Sequence, residues 1–303
     1  MPMPEPSTPS ALCWGEVLWD LFPTGACLGG APSNLAVHLA AVGVKTALVT
    51  RIGADALGQQ AMQELQARGL EVSGVQVDPE RATGRVGIAL EGGEARYTLH
   101  PGAWQRIACD DESIRLLRKT RAFCFGTLSQ ESEVGRASWR EALQHVPETA
   151  IRFCDPNLRG GRIDPNLVLE HMRAATVVKI NEHEAAVFEK TFGCSDAVSW
   201  LLEDMQVALV AKTLGPAGAI LESKAERAEH PGVTARAGGD NVGAGDAFGA
   251  ILVAGVLANA PLANIAEAAN RYGSFVASAG GATPVPTAEF RHQIAQLLGR
   301  FAH

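Results

Sequence analysis

"KTALVTRIGADALGQQAMQELQARG", Lys45 to Gly69, sets two periodicities back to back. Its opening residues are an apolar, β-branched run closed by a turn, the pattern of a buried strand. From Leu57 the apolar positions take helical spacing, and the run stops at Gly69, where glycine supplies a closing turn. Strand then helix is half of a βαβ unit, and the pattern recurs in both directions. "ALCWGEVLWDLF" (11–22) reads as one strand, followed by "SNLAVHLAAVG" (33–43), a helix capped by Ser33 or Asn34 and stopped at Gly43. Further strands are expected in "AFCFGTL" (122–128), "AIRFCD" (150–155), "TVVKIN" (176–181) and "QVALVAKTLG" (206–215). Helical patterns lie near 131–145, 164–174, 182–191 and 195–204, and past about residue 245 only helix is expected. The rhythm predicts an α/β fold, a doubly wound and mostly parallel sheet flanked by helices.

One stretch breaks that rhythm. "TGRVGIALEGGEARYTL" (83–99) is two extended runs joined by Gly92-Gly93, a hairpin signal. A hairpin set between βα units has no place in a doubly wound sheet, so it should project as a small β lid at about 80–101, with residues 18–28 as its candidate partner.

The 303 residues are 47% hydrophobic and 19% charged, enough to bury a large core and too apolar for disorder. Net charge is −7 with no basic run, which argues against nucleic acid or an anionic membrane as the main partner. No apolar run is long enough to span a bilayer. "MPMPEPSTPS" lacks the regions of a signal peptide and reads as a disordered tail over 1–10, leaving one domain over 11–303 and a cytoplasmic expectation. Six scattered cysteines, at 13, 27, 109, 124, 154 and 194, have no CxxC spacing and read as reduced, mostly buried thiols. "NEHE" (181–184) reads as a helix start rather than a metal site.

The chemistry concentrates in "DNVGAGDAF", Asp240 to Phe248. Gly243, Ala244 and Gly245 precede Asp246 at the start of an apolar helix, where unpaired N–H groups converge on an anion. A dinucleotide site would need GxGxxG after a strand; here the spacing is GxGxxxG after a poor strand, with an acid where a pyrophosphate should approach. A P-loop is absent, since no lysine in the chain follows a glycine. Two readings are left. Asp246 caps a helix, or it accepts the proton of a hydroxyl while the amides of 243–246 stabilise a phosphoryl group in flight.

These residues resemble a known family. "DNVGAGDAF" is similar to the C-terminal signature of the PfkB, or ribokinase-like, sugar kinases, and "GGAPSNLAVHLAAVGVKTALVTRIGADALG" (29–58) to their N-terminal one. "GEVLWDLFP", "CDPNLR", "KINEHEAAVF", "KTLGPAGAIL" and "GGATPVP" follow in the family's order, so the likeness runs from about residue 12 to near the end. It implies a ribokinase-like core with a β lid over the sugar, an enzyme using ATP and Mg2+, and K+ as a candidate activator. By the same resemblance Asp246 is the catalytic base and Gly243, Ala244 and Gly245 the anion hole. Asp20, Gly30 and Asn34 would hold sugar hydroxyls. Asn181 and Glu184 fall in the family's N-x-x-E motif, Glu184 reaching Mg2+ through water. Thr213, Gly215, Gly218 and Asn270 would line the nucleotide, and Asp240 with the 278–286 loop would hold the monovalent cation. Asn241 and Val242 depart from the family's usual Thr and hydroxyl residue, which bears on the cation site more than on contacts made by the backbone.

"GEVLWDLFP" resembles the fructokinase branch, and a neutral ketohexose suits Asp20. The alternatives are a ribokinase or a 2-keto-3-deoxygluconate kinase, for which Arg159 or Arg96 would supply the cation that a sugar acid needs. Tyr97, His100 and Trp104 either stack on the sugar or pack the lid. A homodimer through the lid and a catalytically inactive sugar-sensing homologue complete the set of readings.

Overall fold

The structure, a computed structural model, describes residues 9–22, 25–91, 94–158 and 164–299. Its strands are β1 (Ala11–Trp14), β2 (Leu18–Phe22), β3 (Gly25–Gly29), β4 (Thr46–Gly53), β5 (Val75–Asp78), β6 (Gly84–Glu91), β7 (Glu94–His100), β8 (Ala122–Phe125), β9 (Ile151–Cys154), β10 (Val177–Asn181), β11 (Leu209–Thr213), β12 (Ala219–Glu222) and β13 (Arg227–His230). The helices are α1 (Ala31–Ala41), α2 (Ala56–Ala67), α3 (Asp111–Leu117), α4 (Glu133–Gln144), α5 (Pro165–Ala174), α6 (Glu182–Phe192), α7 (Ala197–Glu203), α8 (Ala244–Leu257), α9 (Leu262–Ala277) and α10 (Ala288–Leu297).

The main sheet runs β13-β12-β11-β10-β9-β8-β1-β4-β5. Pairing is parallel from β5 across to β11, and β12 and β13 close the far edge antiparallel. Side chains alternate across the strands, so each strand feeds two cores. Ala11 and Cys13 of β1 join the core made with α1, α2, α8, α9 and α10. Leu12 and Trp14 join the other, made with α3 to α7. Helices on both faces explain why the strands read as continuous apolar runs.

The chain leaves β1 to build β4 and β5 on one side, then returns to lay β8 on the other. The strand order reverses there, and the crevice beyond the carboxyl ends of β1 and β8 is where such a sheet binds ligands. α8 packs beside it with Ile251, Leu252 and Val253 fully buried, each contributing on the order of 2 kcal/mol by area.

Two expectations are corrected. Residues 11–22 form two strands in different sheets, because the chain bends at Gly15 (φ 153°), where a Cβ would lie 2.4 Å from Pro32 Cγ. α1 starts earlier than its Ser and Asn suggest: Gly30 is the N-cap, Pro32 sits in the first turn, and Ser33 and Asn34 lie inside the helix. Proline fits that turn because it has no N–H to leave unpaired.

The hairpin of β6 and β7 joins β2 and β3 in a second sheet ordered β3-β2-β6-β7, which agrees with the expected partnership of 18–28 and 80–101. The Asp55 carboxylate fixes its root, accepting from Gly58 N at 2.8 Å, Thr83 N at 2.8 Å and Thr83 Oγ1 at 2.7 Å. Trp104 is buried against Gly84 and so packs the root of the hairpin, while His100 is exposed. The side chains of Arg96 and Tyr97, and Arg159 entirely, lie outside the described residues.

Candidate active site

Asp246 does not cap α8. The N-cap is Gly243, left-handed at φ 76° with no capping side chain, and a Cβ there would lie 2.4 Å from Ala282 O. Glycine is needed at 243 on both counts. Asp246 sits in the first turn, 9% exposed, and its Oδ2 accepts a 2.8 Å bond from Asn34 Nδ2 in α1. That contact joins the two ends of the sequence at the reversal point of the sheet. The Ala244 N–H reaches Asn241 O at 3.3 Å. Gly245 faces a lysine: a Cβ on it would lie 3.1 Å from Lys179 Nζ.

Lys179 is the charge that sequence reasoning missed. It stands on β10 and donates to Asp155 Oδ2 at 2.8 Å, both side chains less than a tenth exposed. Burial pulls its ammonium down, but Asp155, Glu184 and Asp246 outweigh that and hold it above the ordinary lysine value. Glu184 shares a capping box with Asn181: Glu184 N donates to Asn181 Oδ1 at 2.8 Å and Asn181 N to Glu184 Oε2 at 2.9 Å. Its Oε1 accepts from Leu158 N at 2.9 Å. Burial first, and the Asp155 charge next, push the Glu184 carboxyl above the usual range. A charged lysine inside the apolar run "TVVKIN" was the available signal, since a buried charge needs a partner.

The first turn of α8 is a wall between two spaces. On one side lies a cavity of about 500 Å³ lined by Thr213, Gly215, Gly218, Gly245, Phe248 and Asn270, among others. That volume suits a nucleotide-sized ligand. The sequence-predicted nucleotide residues Thr213, Gly215, Gly218 and Asn270 thus meet in one place, together with Ala244 and Gly245. Gly215-Pro216-Ala217 forms a 3₁₀ turn joining β11 to β12. Asn270 is buried in α9, not a surface residue, and its Nδ2 donates to Ala266 O at 2.8 Å. On the other side Asp246 and Asp155 line a crevice with Pro32, Leu35 and Gly126. Its roughly 20 Å³ is room for about one water, so a sugar would lie outward of it.

Gly30 bends at φ 105°, and a Cβ on it would lie 2.4 Å from Glu16 O. A Cβ on Gly29 would lie 2.4 Å from Asp20 Oδ2, so the Asp20 carboxylate rests on the backbone that leads into α1. Asp240 bridges two loops: its Oδ1 accepts from Val242 N at 3.0 Å and its Oδ2 from Gly281 N at 3.3 Å.

Comparison with known proteins decides the family. The model of the pfkB family carbohydrate kinases matches residues 26–288. The chain belongs to that family. It is therefore a phosphotransferase with an alcohol acceptor. A fructokinase of Salmonella typhimurium is 26% identical over 257 residues, 81% of this chain and 83% of that protein. An uncharacterized sugar kinase of Pyrococcus horikoshii is 27% identical over 236 residues, 76% of this chain and 73% of its own length. Its crystal structure superposes with a TM-score of 0.83 at 24% identity, covering 95% of this chain and 99% of that one, and it has also been solved with ATP. A structure from Escherichia coli with ATP and Mg2+ bound has a TM-score of 0.83 at 18% identity, over 96% of this chain and 99% of that one.

Within the carbohydrate kinase reading, the oxygen donors fit magnesium, a hard cation that keeps several waters. Asp155 Oδ1 is buried without a hydrogen-bond partner among the described residues, and Glu184 lies beside the same lysine. No helix among the described residues is long and apolar enough to cross a membrane.

Proposed function

We propose that this pfkB-family kinase is a fructokinase that moves the γ-phosphoryl group of ATP to a hydroxymethyl oxygen of fructose. The observation that carries the reading is the first turn of α8, with Asp246 on the crevice side and Gly245 on the side of the nucleotide-sized cavity. A hydroxyl outward of the crevice gives its proton to the Asp246 carboxylate. Its oxygen bonds to the γ-phosphorus as the bond to the ADP oxygen breaks, and ADP leaves with that electron pair. Asn34 keeps the carboxylate in place. The amides at the α8 terminus and the Lys179 ammonium face the charge that develops on the phosphoryl oxygens. Magnesium, held through water by Glu184 and Asp155, would neutralise phosphate charge. Asp240 and the carbonyls of the neighbouring loop form the place for a monovalent cation.

Asp20 favours a neutral sugar, because a carboxylate beside a sugar acid is repulsive. The fructokinase relatives support fructose in particular. The assay is coupled ADP release with fructose, ribose and 2-keto-3-deoxygluconate. Fructose is expected to give the largest kcat/KM, by at least about tenfold; a higher value for either competitor would replace fructose as the substrate. Loss of sugar-dependent ADP release on all three would remove the assignment of this sugar class.

A further inference from the structure

A second cluster lies apart from the transfer site. Among the described residues, one thiol, one carboxylate and one imidazole converge with ligand atoms all within 4.8 Å of one another: Cys109, Glu141 and His145. The cleft of about 580 Å³ that Cys109 and Glu141 border shares no lining residue with the two spaces beside α8. We propose that Cys109, Glu141 and His145 bind one divalent ion of zinc type, cross-linking α4 to the segment between β7 and α3.

The donor set selects the ion. A thiolate, an imidazole and a single carboxylate suit a borderline-soft metal and not magnesium or calcium, which take oxygens. Tetrahedral zinc holds such atoms about 3.5 Å apart, so they need to close by roughly 1 Å, within reach of side-chain rotation. Two of the donors are one helical turn apart and so lie on the same face of α4. His145 is the C-cap of that helix, where the dipole favours a cation.

The third donor comes from a separately anchored segment. Gln76 on β5 clamps Ala108 from both sides, accepting from its N–H at 2.8 Å and donating to its carbonyl at 2.6 Å. Asp110 then caps α3 through Ser113 N at 2.9 Å. Cys109 is thus held between two fixed neighbours, and α4 is tied to the same region by the Ser132 hydroxyl on Gln105 O at 2.8 Å. The cluster is also open: Cys109 and His145 are half-buried and Glu141 is exposed, so an ion can enter and water can complete the coordination. Burial, with the charges of Glu141 and Asp110, holds the Cys109 thiol at about 11, which keeps it protonated without a metal. Binding forms the metal–sulfur bond and sends the S–H proton to solvent.

The test uses the full chain after chelator treatment, titrated with Co2+ alone and then with Zn2+. A thiolate-to-cobalt charge-transfer band that saturates at one equivalent and is displaced by Zn2+ is expected. Cys109→Ser should abolish the band, and His145→Gln should weaken Co2+ binding at least about tenfold. Zn2+ should raise the unfolding temperature of the unaltered chain and not of Cys109→Ser, a readout that also reports whether the variant is folded. The site is wrong if the unaltered chain shows no band at saturating Co2+, if the band survives Cys109→Ser, or if His145→Gln binds Co2+ as tightly as the parent.

Discussion

Asp246 stands in a helix turn that Gly243 already starts, so the N-cap role does not account for it. Replacing it by Asn keeps an oxygen for the Asn34 amide and removes the proton acceptor. Asp246→Asn is therefore expected to lower kcat by roughly 10²–10⁴ with sugar affinity little changed, measured by steady-state ADP release and sugar titration. Turnover near the parent rate would show that the base lies elsewhere. The Lys179–Asp155 pair gives a second test at this scale. Breaking a buried pair from one side costs about 3–5 kcal/mol, because the other charge is left alone. Lys179→Met should then unfold at lower temperature and turn over slowly. Adding Asp155→Asn should recover much of the stability without recovering turnover, since the cation beside Gly245 and a carboxylate proposed to hold magnesium are then both missing. Joint recovery of both would make the lysine purely structural. Asp246, Asn34 and the glycines were singled out by resemblance to two short family signatures, each local in the chain; from the residues alone Asp246 stood open between cap and base, and Asn34 read as a helix cap. Lys179 was hidden by its surroundings, for its partners come from Asp155 and Glu184, and only the fold brings all three together.

At the scale of elements, the second sheet is the part most open to surgery. Gly84 and Gly102 touch backbone to backbone, a Cβ on Gly102 lying 2.4 Å from Gly84 N. The hairpin can thus be cut above its root by replacing residues 86–99 with a short Gly-Gly turn, leaving Asp55, Thr83 and Trp104 in place. On the reading of this sheet as a lid over the sugar, its loss should raise the sugar KM and let water reach the phosphoryl group, seen as ADP release without sugar. Kinetics equal to the parent would show that the sheet has no part in catalysis. This sheet was readable from Gly92-Gly93 and the alternation around it. The parallel strands β1, β4 and β8 to β11 were readable too, because burial on both faces makes them continuous apolar runs; the edge strand β5, with Val77 exposed, was not. The break of 11–22 into β1 and β2 was not, since a strand-like pattern continues through Gly15 and only the collision with Pro32 shows the bend. β13 escaped notice for the opposite reason: an edge strand, alternately half-buried and exposed, has little apolar signal to give.

Across the whole molecule, two buried histidines tie distant segments and are expected to weaken the fold in acid. His38 in α1 lies 3.0 Å from Ala282 O through Nε2 and edge-on to Tyr272 of α9. His171 in α5 stacks on Trp139 of α4 at 4.2 Å, its Nδ1 is 2.7 Å from Leu167 O, and its Nε2 has no hydrogen-bond partner among the described residues. Burial is the main cause that lowers both to about 4, against about 6.5 for a histidine in an unfolded chain. Between those values the unfolded chain binds more protons than the folded one, so stability must fall as the pH is lowered from 6.5 towards 4. Each histidine accounts for a loss on the order of 3 kcal/mol across that window. His171→Phe keeps the ring against Trp139 and removes both the titration and the unpaired nitrogen. Its unfolding temperature at pH 7.5 should stay near the parent's, and its fall between pH 7 and pH 5 should be shallower. Parallel curves for the two proteins over that range would place the acid sensitivity in the carboxylates instead.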